Sequence, residues 1–301
     1  VGITVFIAIL ILVLVNLPRA QASQLNKKYS FIKTNYTVPT SNVAWVAPNG
    51  NDTSGNGSEG SPYATFKKAL SSISNGGTVV AKSGIYREPH FFISGDNVTI
   101  QAAPGAEVWL KGSDVVNSWT SENGIWKTTG NYHNFCHVCT TNANPSVEGT
   151  AAYPEQVFIN DEPLKQVKTK AEVTPGSNTF YVEDNTPTTL KTPNNNADGY
   201  NIGQQDAISY YIGKNPASGV TEISERARAF TSTGKNVSVK GINVAQYSPV
   251  QVWGFKDPYD PAADRGVYSG PTAVSINGSG SLVQDMIVTQ SASQGLLFNK
   301  A

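Results

Sequence analysis

The chain has 301 residues, with 22 basic and 22 acidic side chains, so its formal net charge is zero. This balance argues against a nucleic-acid partner or an anionic membrane surface, because either requires a clustered basic patch. With 27 glycines, 17 prolines and only 15% charged residues, the composition is typical of a turn-rich β protein.

The chain begins with a hydrophobic leader. Residues 3–17 are nearly all apolar, and Ala20-Gln21-Ala22 follows shortly after. The apolar run is shorter than the roughly 20 residues of a spanning helix. Because signal peptidase accepts small residues, we predict a signal peptide over 1–22 and a linker over 23–42. An uncleaved N-terminal anchor is the alternative, and either outcome predicts a body that is secreted or held at the cell surface.

The stretch from Trp45 to Ile93 predicts a strand, a polar loop, an amphipathic helix and a further strand. The helix is expected to start at Ser61-Pro62, because Ser caps free amides and Pro suits the first helical position. Asn75-Gly76-Gly77 is expected to end it. Apolar side chains recur at helical spacing and so share one face: Tyr63, Phe66, Leu70 and Ile73.

Short apolar runs follow the helix: TVVAKSGIY, HFFISGDN, VTIQAAPGAE and VWLKGSD. Each is too short for a helix, is bounded by turn residues and is rich in Val, Ile and aromatic residues, so each predicts a strand. Evenly spaced strands after a single helix predict a solenoid whose first coil the helix covers. Without a cap, the end of the stack exposes unpaired amides and apolar side chains. We assign residues 43–112 to the cap and first coils.

Three segments carry a resemblance to a known family: VAPNGND at 46–52, SPYATFKKAL at 61–70 and GTVVAKSGIYRE at 77–88. Together they resemble the N-terminal cap and first coil of secreted β-helix proteins of the pectate-lyase-like superfamily. The resemblance implies an all-β fold, a right-handed parallel β-helix. It implies no single activity, because that superfamily contains lyases, hydrolases, epimerases and proteins with no known activity.

The strand rhythm changes between residues 113 and 232. Short β segments at looser spacing predict a β-rich insertion packed beside the solenoid, or coils with long excursions. Asn160-Asp161 predicts a hairpin turn within it. The segments ENGIWK, QVFINDEPLKQV and FYVED resemble an insertion common in secreted β-helix proteins, many of which are thought to act on carbohydrate.

We predict that the solenoid resumes near Lys235 and assign residues 233–301 to further coils. The step from Val274 to Leu296 is about one coil. A β-helix that ended at Ala301 would expose a strand edge, so we expect the natural protein to continue. Four side chains of the first resumed coil are predicted to point inward: Val237, Val239, Ile242 and Val244.

A long loop over residues 251–272 carries the candidate binding residues. Aromatic faces stack on sugar rings, which makes Trp253, Tyr259 and Tyr268 candidate substrate-binding residues. Carbohydrate lyases of the resembled superfamily commonly hold Ca²⁺ with carboxylates to neutralise a uronate. That resemblance makes Asp257 and Asp260 candidate ligands for Ca²⁺.

The same loop carries the candidate catalytic residues, Asp264 and Arg265. A lyase would use Arg265 as base only if its guanidinium were strongly perturbed, since Arg normally stays protonated. A hydrolase instead needs two carboxylates, and Asp260 with Asp264 are the candidates. The alternative is a polar loop in which Asp257-Pro258 and Asp260-Pro261 start turns.

The two cysteines of the chain, Cys136 and Cys139, lie close together with His133 and His137 nearby. In an exported chain two such thiols are expected to form a disulfide. A zinc site built from the same four residues is one alternative, and free or intermolecularly paired thiols are another.

Together these patterns predict a monomeric secreted β-helix protein that acts on or binds an extracellular polysaccharide. The expected site is a groove along one sheet, beside the 251–272 loop. Lyase chemistry on an acidic polysaccharide is placed slightly ahead of glycoside hydrolysis. A non-catalytic carbohydrate-binding or surface-structural module is the competing class.

Overall fold

A computed structural model of the chain describes residues 29, 32–133, 135, 154–184, 205–249, 272–292 and 294–299. Within them, three parallel sheets form a solenoid. The first sheet contains β1 (Val43–Val46), β2 (Thr78–Ala81), β5 (Thr99–Ala102), β17 (Ser238–Lys240) and β20 (Leu282–Gln284). The second contains β3 (Gly84–Tyr86), β6 (Val108–Lys111), β18 (Ile242–Ala245) and β21 (Val288–Thr289). The third contains β4 (Phe91–Ile93), β16 (Phe230–Ser232), β19 (Val274–Ile276) and β22 (Leu296–Phe298).

The chain visits the three sheets in the same order in every coil. Coil 1 contributes β1, coil 2 is β2-β3-β4, coil 3 is β5-β6-β16, coil 4 is β17-β18-β19 and coil 5 is β20-β21-β22. Thr78 of coil 2 lies beside Thr99 of coil 3, so an uninterrupted coil takes 21 residues. Right-handed crossovers are the rule for such parallel connections. The predicted parallel β-helix is confirmed.

The interior of the solenoid is a stack of apolar side chains that repeats from coil to coil. Val79, Ile100 and Val239 are neighbours in the first sheet and are fully buried. All four side chains predicted to point inward in the resumed coil are buried. Val274 lies beside Leu296, which confirms the predicted one-coil step. Each such side chain contributes about 1.5–3 kcal/mol by its burial.

A short helix, α1 (Phe66–Ser72), covers the end of this stack. The Phe66 ring stacks on Phe91 with centroids 5.5 Å apart, and Phe91 stacks in turn on Phe230 at 5.6 Å. Leu70 and Ile73 pack against the same core, as their helical spacing predicted. The predicted capping helix is therefore confirmed, and it extends the apolar interior rather than lying beside it.

The predicted start of this helix at Ser61-Pro62 is wrong. The helix begins at Phe66, and the Thr65 hydroxyl caps it by accepting a hydrogen bond from the Lys68 amide at 3.1 Å. The residues before Thr65 are held elsewhere, since Tyr63 forms a parallel bridge with Val46. The Asp52 carboxylate also accepts hydrogen bonds from the Ala64 and Thr65 amides at 2.8 and 3.1 Å. These tertiary contacts outweigh the local preference of Ser-Pro.

A β-rich insertion interrupts coil 3 between the second and third sheets. One antiparallel sheet contains β7 (Ser113–Val115), β10 (Val157–Ile159), β11 (Glu162–Pro163) and β15 (Thr221–Ser224). The other contains β8 (Thr120–Glu122), β9 (Ile125–His133), β12 (Lys165–Gln166), β13 (Thr179–Asp184) and β14 (Gln205–Ile212). The predicted range of 113–232 ended within the solenoid, because Phe230–Ser232 pairs with β4 and β19.

The insertion has its own core and turns. Phe180, Ile208, Ile212 and Ile223 belong to one buried cluster that is separate from the solenoid core. The predicted hairpin is confirmed, since Ile159 pairs with Glu162 across a two-residue turn. Asn160 and Asp161 in that turn have φ of 54° and 63°, as this type of tight hairpin requires.

Part of the predicted linker lies against the solenoid. The Thr34 and Thr37 carbonyls accept hydrogen bonds from Gly105 and from the Gln101 side chain, and the Tyr36 hydroxyl donates to Asp285. The predicted signal peptide lies outside the described residues. Within the part of the chain that the structure describes, no helix has the length and hydrophobicity needed to cross a membrane.

Candidate functional site

The predicted site residues lie outside the described residues, so their roles stay predictions. They are Trp253, Asp257, Tyr259, Asp260, Asp264, Arg265 and Tyr268 of the loop, and Cys136 and Cys139 of the insertion. The described residues on either side of the loop are held to the solenoid by hydrogen bonds. The Ser248 amide donates to the Arg226 carbonyl at 2.9 Å, and Thr272 is buried, with its hydroxyl donating to the Val274 carbonyl at 2.8 Å.

Both long excursions of the chain leave the solenoid at the same place. The insertion separates β6 from β16 in coil 3, and the loop separates β18 from β19 in coil 4. Because β6 pairs with β18 and β16 pairs with β19, the two excursions begin and end side by side. We call this place the corner. It consists of residues 87–90 of coil 2, 112–113 and 225–229 of coil 3, and 246–249 with 272–273 of coil 4.

The outer face of the third sheet borders the corner and presents a row of outward side chains. Phe92, Thr231, Ser275 and Leu297 lie in register on successive coils. Phe92 is 58% exposed, although it belongs to a strand whose other two residues are buried. The His90 ring lies 4.6 Å from the Phe92 ring, and its Nε2 is 2.9 Å from the Thr231 hydroxyl. An aromatic ring beside polar groups is an arrangement that suits a sugar.

Glu225 is a carboxyl group of unusual properties at the corner. Burial raises its pKa to about 7, and the negative charge of Asp114 adds to the rise. One carboxylate oxygen accepts a hydrogen bond from the His133 amide at 2.9 Å, and Oε1 is buried with no hydrogen-bond partner among the described residues. Arg226 forms two hydrogen bonds with Asp114, at 2.8 and 3.1 Å. A carboxyl with this pKa can give or take a proton near neutral pH.

Glu88 has a similarly raised pKa and a different role. Burial raises its pKa to about 7, although hydrogen bonds from two amides oppose the rise. Those amides belong to Phe66 and Lys67 at the start of α1, at 3.1 and 3.4 Å. Because both oxygens are engaged, Glu88 fastens the capping helix to coil 2 and is a structural residue.

A second group of charges lies between the corner and the insertion and is largely buried. Lys111 Nζ lies 2.5 Å from Asp161 and 2.6 Å from Glu222, and Arg87 lies 2.5 Å from the other oxygen of Glu222. Burial acts to raise the pKa of Glu222, but the two cations outweigh it and hold that pKa below its ordinary value. Burial keeps the pKa of Asp161 raised although Lys111 opposes the rise. No substrate reaches Lys111 or Glu222, because both are fully buried.

The described residues hold no group of three His, Cys, Asp or Glu side chains arranged for a metal ion. The predicted Ca²⁺ ligands, Asp257 and Asp260, lie outside them. Of the alternative zinc ligands only His133 is described, and its ring packs 4.5 Å from the ring of Phe135.

Sequence reasoning missed Glu225, Phe92 and His90. The run HFFI carries a usable signal for Phe92, because alternation places Phe91 and Ile93 inside and Phe92 outside. Glu225 carries no such signal, because its properties come from His133 and Asp114, which lie about 90 and 110 positions earlier in the chain.

No protein-family model matches the chain, and the search of curated proteins gave no match. Among solved structures, the chain is similar to XylC in complex with xylose, with 17% identity and a TM-score of 0.55. That match covers 80% of this chain and 40% of XylC. A structure described as a glycoside hydrolase has 13% identity and a TM-score of 0.45, covering 85% of this chain and 63% of the other. The chain thus spans less than two thirds of either protein, and the XylC match supports the β-helix fold.

Proposed function

We propose that this chain is part of a carbohydrate-active protein whose sugar site is the outer face of the third sheet beside the corner. Glycoside hydrolysis is the preferred activity. The observation that carries the proposal is the exposed Phe92 ring, set beside His90 and Thr231 at the edge where both excursions leave the solenoid. The fold likeness to XylC, which was solved with xylose, supports a sugar as ligand.

In this proposal Glu225 is the general acid. Hydrolysis of a glycoside requires one carboxyl group that is protonated near working pH and a second that is ionised. Burial raises the pKa of Glu225 to about 7, which suits the acid. Asp114 is held by Arg226. We therefore assign the second carboxylate to the 251–272 loop, where Asp260 and Asp264 remain the candidates.

Lyase chemistry is the second candidate. A lyase requires a base that is neutral at working pH, but Arg87, Lys111 and Arg226 are each paired with a carboxylate. Arg87 and Lys111 pair with Glu222, and Arg226 pairs with Asp114. In this alternative the base is Arg265, with Asp257 and Asp260 holding Ca²⁺ against a uronate.

The remaining predictions belong to the same proposal. Trp253, Tyr259 and Tyr268 would extend the aromatic surface that begins at Phe92. Export would follow from cleavage after Ala22, which N-terminal sequencing of the mature protein tests by finding Ser23 first. A Cys136–Cys139 disulfide would lower the intact mass by two hydrogens, and reduction would restore it.

The test of activity uses the purified protein with chromogenic xylosides and other glycosides, and with uronate polymers. Hydrolysis releases reducing ends without an unsaturated product, whereas elimination produces ultraviolet absorbance. Glu225→Gln is expected to lower kcat by about 100-fold or more, because it cannot donate the proton. Wild-type activity should fall as pH rises above about 7, where Glu225 ionises.

Glu59→Gln is the matched control, since Glu59 is an exposed carboxylate of the polar loop before the capping helix. Full activity with an unchanged pH profile in Glu225→Gln would overturn the acid assignment. Retention on a polysaccharide without any product would instead identify a binding module.

Phe92→Ala separates binding from chemistry: KM should rise about 3- to 10-fold with kcat unchanged. Leu282→Ala, at an exposed residue of the first sheet, should change neither.

A further inference from the structure

The junction between the solenoid and the insertion contains two cations in adjacent coils, of which Lys111 is fully buried and Arg87 is half-buried. Tyr86 of β3 lies beside Leu110 of β6, so Arg87 and Lys111 follow at equivalent positions of coils 2 and 3. Like charges at such positions repel one another, and the repulsion is strong where water is excluded. The solenoid alone therefore leaves two positive charges to be balanced at this point of its surface.

The insertion supplies the opposite charges. Glu222 of β15 binds Arg87 with one oxygen and Lys111 with the other, at 2.5 and 2.6 Å. Asp161, in the hairpin turn, binds Lys111 at 2.5 Å. Two carboxylates of the insertion thus compensate two cations of the solenoid. Lys111 contacts both carboxylates.

Two further coils hold the same hairpin turn through amides. Gln246 of coil 4 donates to the Asp161 carboxylate at 3.0 Å, and Gln290 of coil 5 donates to the Asp161 carbonyl at 2.6 Å. We call the whole group the docking network: Arg87, Lys111, Asp161, Glu222, Gln246 and Gln290. Four successive coils contribute to it, so it fixes the insertion along the axis of the solenoid as well as across it.

The network is directly connected to Glu225. Glu225 follows Glu222 by three residues, and its amide donates to the Gly112 carbonyl, next to Lys111, at 2.8 Å. Its carboxylate is held by His133 at the end of β9, which belongs to the insertion. The groups that face Glu225 come from both parts of the molecule: Asp114, Tyr132, Tyr210 and Arg226. The environment of Glu225 therefore depends on how the insertion is seated.

We propose that Lys111 is a positioning residue, which docks the insertion onto the solenoid and thereby holds Glu225 in place at the sugar face. Buried ion pairs demand strict geometry, whereas apolar contacts permit sliding. A fully desolvated Lys between two carboxylates therefore selects one orientation of the insertion. The catalytic part of this inference rests on the proposed function, and the docking part does not.

The test is Lys111→Met, which keeps an unbranched side chain of nearly the same length and removes the charge. The expected result is a fall in kcat/KM of about 10- to 100-fold. The descending limb of the pH profile should also move to lower pH, because a loosened insertion leaves Glu225 more hydrated. A purely structural loss would lower the amount of active protein and leave the pH profile where it was. Lys235→Met, at an exposed lysine of the solenoid, should change neither quantity.

Amide hydrogen exchange supplies a readout that needs no activity. In Lys111→Met, the amides of β7, β10 and β15 and the His133 amide should exchange faster, while those of β2 and β5 stay at the wild-type rate. If the protein acts on no glycan, the proposed function fails and these exchange rates still decide the docking role. Wild-type exchange throughout, or an equal increase in β2 and β5, would overturn it.

Asp161→Asn is the second variant, used if Lys111→Met does not fold. Asn tolerates the positive φ of this position, so the hairpin turn is kept and one charge is lost. Faster exchange in β10, with a smaller shift of the pH profile in the same direction, is the expected outcome. Exchange in β10 at the wild-type rate would contradict the proposal.

Discussion

The solenoid and the insertion are both made of short strands, but they pair them in different ways. In the solenoid each strand lies beside the equivalent strand of the next coil, as Val79 lies beside Ile100. In the insertion, β9 and β14 pair antiparallel, with Trp126 beside Ile212 across a long stretch of chain. The parallel pairing can be predicted from the sequence, because every coil repeats the same order of strands and the same pattern of inward apolar positions. The second kind depends on contacts that no local pattern announces.

The two regions also keep separate cores, joined by charge. Phe91 and Phe230 stack inside the solenoid, while Phe180 and Ile208 belong to the buried cluster of the insertion. Between them lies the docking network, with Lys111 at its centre. Two apolar cores with a polar junction should respond independently to damage, and this difference can be tested.

The largest expected effect is the loss of a core aromatic ring. Phe230→Ala should lower the free energy of unfolding of the solenoid by about 3–5 kcal/mol, because it leaves a cavity beneath Phe91. Phe180→Ala should produce a similar loss in the insertion alone. Denaturant titration combined with region-resolved hydrogen exchange measures both. The exposed Phe92→Ala is the control and should have little effect on stability. If each core variant loosens both regions equally, the two cores form one cooperative unit.

The next effect concerns the junction and its pH dependence. Burial raises the folded-state pKa of Glu225 to about 7, above the value of about 4.5 in the unfolded chain, so the folded state retains a proton that the unfolded chain releases. This group therefore favours folding at low pH, and its contribution is lost as pH rises from about 4.5 to 7. Residue 225 does not titrate in Glu225→Gln. The fall in the free energy of unfolding with rising pH should therefore be smaller by on the order of 1–3 kcal/mol in this variant than in the wild type.

The measurement is the free energy of unfolding between pH 5 and pH 8 for the wild type, Glu225→Gln and Glu59→Gln. The Glu59 variant should follow the wild-type curve, because that side chain is exposed. Parallel curves for the wild type and Glu225→Gln would show that the carboxyl group is not desolvated at the junction.

The smallest effect belongs to the end of the solenoid. Thr65→Ala removes the hydroxyl that accepts from the Lys68 amide and donates to Asp52 at 2.7 Å. It should cost about 1 kcal/mol, as the loss of a helix N-cap does. Thr65→Ser keeps the hydroxyl and should recover most of the stability in a thermal denaturation experiment. Equal losses of stability in Thr65→Ala and Thr65→Ser would show that the hydroxyl of residue 65 is not the N-cap of α1.

Much of the solenoid, and one hairpin of the insertion, could be predicted from short patterns. The inward positions of Val239 and Ile242, the one-coil step from Val274 and the hairpin at Asn160-Asp161 all follow from alternation, period and turn chemistry, and all are confirmed. The start of α1 could not be predicted. A local Ser-Pro signal competed with hydrogen bonds that the Ala64 and Thr65 amides donate to Asp52 and with the bridge between Tyr63 and Val46, and those tertiary contacts prevailed.

The candidate site shows the same division. The alternation in HFFI was enough to place Phe92 outside, but nothing near Glu225 announces that its carboxyl is buried against His133. Lys111 reads as an ordinary charge at the end of a strand, and its partner Glu222 lies 111 residues away. The spacing of charged residues in the sequence does not predict which of them are buried. The docking network could therefore be identified only from the structure.

The amino-acid sequence by itself determined that the chain winds in coils around an aliphatic interior, because strand length, turn residues and inward positions are local properties that repeat. Only the tertiary structure decided where the two excursions meet, which carboxyl group is desolvated and which cations are paired. Those outcomes depend on the dielectric and the partners around each charge, and distant segments such as β6 and β15 create that environment only when they come together.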